Sequence, residues 1–161
     1  MEDLTIQSVS TLTLKRVREI FEKDNITRKN NKSANMPIIK LINLLNDDNK
    51  KITCEVAKGG SILNRGSVIE CLVKLYFNDK KSASKYGAGR VDMIKDGVKY
   101  EIKYSSSKGY ATYNPKQNYD NLIFVNQIGI YLASKNNIVL DNCQKHIKTI
   151  TMKGVKTLLE F

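Results

Sequence analysis

The stretch Gly89–Ser105, GRVDMIKDGVKYEIKYS, constrains the fold more than any other part of the chain. Two alternating runs, Arg90–Lys95 and Val98–Tyr104, flank the pair Asp96-Gly97. A two-residue type I′ turn needs positive φ at both central positions, which Asp-Gly tolerates, so the segment is predicted to be a β-hairpin. With a two-residue loop Lys95 faces Val98, and counting back along both strands sets Asp92 opposite Glu101. Facing residues share one side of a sheet, with Cβ atoms about 4.5–5.5 Å apart. Lys103, two residues beyond Glu101, points the same way. The other side carries Val91, Met93, Val98, Tyr100, Ile102 and Tyr104, an apolar face interrupted by Lys95.

Two readings of the charged side stand together. Alternating charge is the usual wet face of an amphipathic strand. Two carboxylates directly opposite, however, repel and destabilise a strand pair. A divalent cation between them reverses that sign, and carboxylate oxygens are the ligands that Mg²⁺ takes.

The length of 161 residues favours one domain, 1–161, with a core of its own. Residues 1–50 are expected to form a helical region packed on that core or decorating it. The fractions of 41% hydrophobic and 27% charged residues belong to a folded, water-exposed protein. The net charge of +11 comes from Lys and Arg spread along the chain, and it points to a polyanionic partner. No apolar run is long enough to span a bilayer, and Met1-Glu2-Asp3 lacks the basic start of a secretory signal. Cys54, Cys71 and Cys143 show no paired spacing and read as core residues in a reducing, cytoplasmic compartment. A single histidine, His146, argues against a histidine-centred nuclease.

Along the chain, residues 1–11 read as an arm or short strand. A helix is predicted from Leu12 to about Asp24, with Leu14, Val17, Ile20 and Phe21 at helical spacing and Thr11 or Thr13 as cap. Residues 25–35 read as a polar loop, either solvated linker or phosphate-contacting arm. A second helix runs from Met36 to about Asn46, capped by Asn35, with Pro37 in its first turn. So long a gap argues against a helix-turn-helix. A short strand over Ile52–Ala57 and a glycine loop lead to a third helix, about Arg65 to Phe77. Its apolar arc is Val68, Ile69, Leu72, Leu75 and Tyr76, and Glu70 stands at the margin of that arc. Beyond the hairpin, Ser105–Asp120 mixes Lys with Tyr110, Tyr113 and Tyr119, a pattern that suits nucleic-acid contacts as well as tyrosines packed on a sheet. Leu122–Val125, Gly129–Ala133 and Asn137–Leu140 read as strands. A closing helix is predicted from about Thr151, with Met152, Val155, Leu158 and Leu159 on one side. The elements add up to an α/β (α+β) protein with a central mixed sheet flanked by helices. Gly129-Ile130-Tyr131 matches half of the GIY-YIG nuclease signature by chance, since no YIG follows.

A helix bearing Glu70, then a hairpin presenting Asp92 and Glu101-Ile102-Lys103, resembles the PD-(D/E)XK nuclease superfamily over about residues 60–135. Val91 stands where the superfamily's name has proline, and Gln117 and Tyr119 are not spaced as its RecB-like branch requires. The resemblance implies a restriction-endonuclease-like core. It further implies that Asp92 and Glu101 ligate Mg²⁺ (Mn²⁺ substituting), that Lys103 positions and activates the attacking water, and that Glu70 binds or orients a second metal or its water. The implied reaction is endonucleolytic hydrolysis of DNA, duplex or branched, by a restriction-type or structure-specific enzyme. Arg90, Lys108, Tyr110, Lys116 and Gln117 are the expected nucleic-acid contacts. Cutting both strands with one site per chain is simplest for a two-fold homodimer. The competing expectation is a basic nucleic-acid-binding protein, anti-defence or regulatory, that keeps the fold without cutting.

Overall fold

Thr13 decides where the first helix begins: its hydroxyl accepts the N–H of Arg16 at 3.2 Å. The computed structural model describes residues 8–57, 59, 62–77, 91–105, 110–113, 119–134, 140–143, 148–151 and 155–161. These divide into two units, Met1–Asn78 and Asp79–Phe161. Among the described residues no helix is long and apolar enough to cross a membrane.

In the first unit, β1 (Val9–Thr13) pairs antiparallel with β2 (Lys51–Glu55), and α1 covers Leu14–Thr27. Leu14, Val17 and Phe21 are fully buried, as their spacing requires. The predicted loop over 25–35 does not exist. The chain passes from Arg28 through a 3₁₀ turn, Lys29–Asn31, into α2 (Lys32–Leu45). Asn35 is therefore no cap but a fully buried helical residue, and Pro37 lies inside the helix. What replaces the missing apolar stripe is a polar knot around Asp24, itself buried. The Asp24 carboxylate accepts from Asn35 at 2.7 Å and from Asn31 at 3.3 Å. Arg65 in turn donates to the Asn35 amide oxygen at 2.6 Å. Buried polar groups must be hydrogen-bonded, and here they bond one another. The long gap that argued against a helix-turn-helix thus shrinks to Arg28–Asn31, and that argument lapses.

The third helix, α3 (Arg65–Tyr76), matches expectation to within a residue at its end. Asn64 caps it by accepting the N–H of Ser67 at 3.1 Å. Val68, Ile69 and Leu72 are buried as predicted, whereas Leu75 and Tyr76 are only half-buried. Cys54 and Cys71 are both free and buried. Burial above all, then the neighbouring Cys71 and Glu55, pushes the Cys54 thiol up to about 12, in keeping with a packing role.

The second unit is built on a five-stranded mixed sheet, so the chain is a mixed α/β protein. The hairpin is as predicted: β3 (Met93–Lys95) and β4 (Val98–Tyr104) pair with Lys95 opposite Val98. Asp96 and Gly97 take φ of 52° and 78°, the two positive values of a type I′ turn. Next to β4 lies β6 (Asn121–Val125), parallel to it, and β7 (Gly129–Ser134) follows antiparallel. Leu122, Ile123, Phe124 and Val125 are all buried, so both faces of β6 are covered, as a continuous apolar run requires.

The predicted closing helix is a strand. β10 (Lys156–Glu160) pairs antiparallel with β7, with a register shift between Thr157 and Leu159. Apolar residues over so short a segment fit either period, and the free edge of β7 decides between them. At that bulge the Leu159 carbonyl comes so close to Gly129 that a Cβ there would collide with it. β5 (Tyr110–Tyr113), β8 (Leu140–Cys143) and β9 (Lys148–Thr151) form a second sheet, ordered β5-β9-β8. The segment 105–120 therefore contains a strand that its polar composition concealed. Of the strand predicted over 137–140, residues 137–139 lie outside the described residues, as does His146.

Candidate functional site

The hairpin carries its ladder only as far as Met93 and Tyr100, and Asp92 sits in a bend just before β3. Its carboxylate takes over where backbone pairing stops: Asp92 Oδ2 accepts the N–H of Ile102 at 2.8 Å. Asp92 and Glu101 are therefore not ladder partners, yet their carboxyl groups lie near enough for each to feel the other's charge. Lys103 completes the group, its Nζ 3.3 Å from Glu101 Oε1. The facing ladder pair that the register arithmetic predicts does not form, because pairing ends at Met93 and Tyr100. The bend at Asp92 and its bond to the Ile102 amide nevertheless bring Asp92, Glu101 and Lys103 near one another.

The surroundings differ from a simple wet face. Glu101 is only 3% exposed, because its β6 neighbour on the same face is the buried Leu122. Lys103 has buried Phe124 as its neighbour and keeps about 29% of its side chain accessible. Leu122 and Phe124 pack with Tyr119 and Tyr131 in one apolar cluster, against which Val91 and Val155 lie. The bend at Asp92 accounts for Val91: it packs on the Glu101 face, not on the Met93 face that strict alternation assigns. Buried Tyr119 bears out the packing alternative for one tyrosine of the 105–120 segment.

Electrostatically the pair is costly. Asp92 is pushed up to about 6, first by burial and then by the Glu101 charge. The hydrogen bond from Ile102 and the Lys103 ammonium pull the other way without cancelling those effects. Glu101 Oε2 is buried with no hydrogen-bond partner among the described residues. A buried, unsatisfied carboxylate oxygen beside a second carboxylate is what a cation would relieve. Among the described residues no group of three or more His, Cys, Asp or Glu side chains gathers.

Glu70 lies on α3 in the first unit, where Lys74 Nζ reaches its Oε1 at 2.9 Å. Lys74 is almost wholly buried, a partner that the Glu-to-Lys spacing of four along a helix signals in advance. Of the expected nucleic-acid contacts, Arg90, Lys108, Lys116 and Gln117 lie outside the described residues, and Tyr110 is described only as a backbone position in β5. Sequence reasoning missed the acceptor role of Asp92 toward Ile102, for which the sequence carries no signal.

Compared with known proteins, the chain matches no family model, no curated protein and no solved structure.

Proposed function

We propose that the protein is a Mg²⁺-dependent endodeoxyribonuclease with a restriction-endonuclease-like core. The observation that supports this most is the Asp92–Glu101–Lys103 cluster: two neighbouring carboxylates, with Glu101 Oε2 buried and unbonded among the described residues and the Lys103 amine 3.3 Å from Glu101 Oε1. This donor set fits a hard divalent ion, which is commonly held by one or two carboxylates and completed by water and substrate phosphate. Asp92 and Glu101 would hold it, and Mn²⁺ would substitute. When bound, the ion supplies a hydroxide near neutral pH and charge stabilisation on phosphate oxygens.

The chain's own residues set the rest. Lys103, tethered to Glu101, holds a positive charge where negative charge develops on the phosphoryl oxygens. The Ile102 amide fixes one oxygen of Asp92, leaving Oδ1 directed by that bond. The apolar cluster behind Glu101 lowers the local dielectric and strengthens each of these interactions. The net charge of +11 supplies duplex affinity through phosphates, which carries no sequence information directly. The reading rests on these three residues; Glu70, on α3 of the first unit, pairs with Lys74 and keeps its expected role of binding or orienting a second metal or its water as part of the proposal. Two such chains on a two-fold axis would cut both strands of a duplex.

One observation favours a second reading. The acceptor role of Asp92 toward Ile102 is structural in itself and would survive in a binding protein that does not cut. Incubation with plasmid, linear duplex and branched DNA, with Mg²⁺ or with EDTA, separates the two. Metal-dependent cleavage is expected, and it falls at least ~100-fold in Glu101→Gln and Lys103→Ala while DNA binding persists. Binding without cleavage of any substrate would refute the nuclease reading.

A further inference from the structure

The first unit contains a cleft of about 290 Å³ along α1. Arg16, Ile20, Lys23 and Thr27 line it from successive turns of one helix face, and Arg28 follows at the helix end. Ile62 closes it from the segment ahead of α3. Among the described residues the one carboxylate in its lining is Asp24, whose Oδ2 is already engaged by Asn35 at 2.7 Å and Arg65 at 3.5 Å. Arg16 leans on Glu19 at 3.4 Å, an exposed pair of little strength. Lys23 and Arg28 form no ion pair with any described residue. Among the described residues, three cations therefore share one concavity whose one acid is already engaged by Asn35 and Arg65.

Cations gathered at one concavity raise the local positive potential and attract an anion. The dimensions limit which anion. Pockets for small organic ligands begin at roughly 300 Å³, so the cleft suits one nucleotide and not a length of duplex. Ile20, between Arg16 and Lys23 on the same helix face, and Ile62 give apolar surface for a base or sugar beside the cationic side chains that suit its phosphate.

We propose that this cleft binds a single nucleotide unit through its phosphate, with Lys23 and Arg28 as principal contacts and Arg16 as a third. The unit comes either from a free nucleotide or from a nucleic-acid strand, since both offer the same phosphate. The inference goes beyond the cleavage reading: every residue in it belongs to the first unit, and it stands whether or not Asp92, Glu101 and Lys103 cut DNA.

The test uses the full chain in EDTA, so that no cleavage intervenes. Deoxyadenosine 5′-monophosphate and a short single-stranded oligonucleotide are titrated by calorimetry into wild type, into the double variant Lys23→Gln/Arg28→Gln, and into the charge-conserving Lys23→Arg/Arg28→Lys. Both positions are solvent-exposed, so the fold is retained, with circular dichroism as the check. The double glutamine variant is expected to lose about tenfold or more in affinity, with a shallower salt dependence by roughly 0.7 per lost phosphate contact on a single strand. The charge-conserving variant is expected to stay close to wild type. Binding of both probes with this pattern assigns the site to free or terminal nucleotides; binding of the oligonucleotide alone assigns it to a strand. Failure of both probes to bind, or equal binding by the glutamine variant, overturns the proposal. Absence of cleavage in a parallel Mg²⁺ assay would leave these affinities unchanged, so the two readings fail separately.

Discussion

Replacing Asp92 by Asn should stabilise the metal-free protein at neutral pH. Asp92 is raised from 3.8 to about 6 in the folded chain. Ionising it therefore costs roughly 2 pKa units at 1.36 kcal/mol each, about 3 kcal/mol, above that pH. The sign follows from proton binding. Between the two values the folded state holds more protons than the unfolded state, so stability falls as pH rises from 3.8 through about 6. Below 3.8 the carboxyl is neutral in both states and the penalty is absent. An Asn keeps an oxygen for the Ile102 N–H and offers an N–H₂ to Glu101, which removes the repulsion without orphaning the amide. The gain at about pH 7.5 should be about 1–3 kcal/mol, the upper figure being the whole ionisation penalty. Urea melts of the second unit's transition in EDTA measure it, repeated down to about pH 3, where the gain should vanish. Mg²⁺ should then raise the stability of wild type and leave Asp92→Asn unmoved. A variant less stable than wild type at neutral pH, or a gain that does not shrink on acidification, would refute the electrostatic account of the pair.

Gly129→Ala should cost about 1–3 kcal/mol in urea melts, since its Cβ meets the Leu159 carbonyl and must displace the β10 bulge; an unchanged midpoint would count against that close approach. Asn35→Ala should lose about 2–3 kcal/mol of first-unit stability by stripping the buried Asp24 carboxylate of its 2.7 Å donor, and Asn35→Asp should be worse, as it adds a second charge. Cys54, held up to about 12, should resist iodoacetamide in the native protein near neutral pH and react only on unfolding, which mass spectrometry of alkylated peptides reads directly.

How far the sequence reached depends on whether the deciding signal was local. Asp96-Gly97 carries its own φ preference, so the hairpin and the register of its paired residues could be read from a few residues, whereas the position of Asp92 is set by its bond to the Ile102 amide, beyond the last ladder pair. The third helix was legible for the same reason, from a sustained apolar arc within its own residues. The failures have non-local causes. Residues 25–35 lack an apolar period because their helical turns are tied down by polar bonds among Asp24, Asn31 and Asn35, completed by Arg65, which is distant in sequence. The segment 156–160 became a strand because β7 offered an unpaired edge, a fact absent from its own five residues. The burial of Glu101 followed from Leu122 and Phe124 on a parallel neighbour, and parallel pairings leave no turn signature to read.

The shortness of β3 bears on how the cluster moves. Glu101 and Lys103 ride on a strand whose whole upper half is laddered to β6, so they form the anchored portion of the group. Asp92 hangs from an edge strand of three residues by one side-chain bond to the Ile102 amide. Fraying of that edge swings away one jaw and leaves the other in position, so the Ile102 N–H is a built-in reporter: its exchange with solvent deuterium tracks opening of the clamp, and an occupant gripped by both carboxylates slows it.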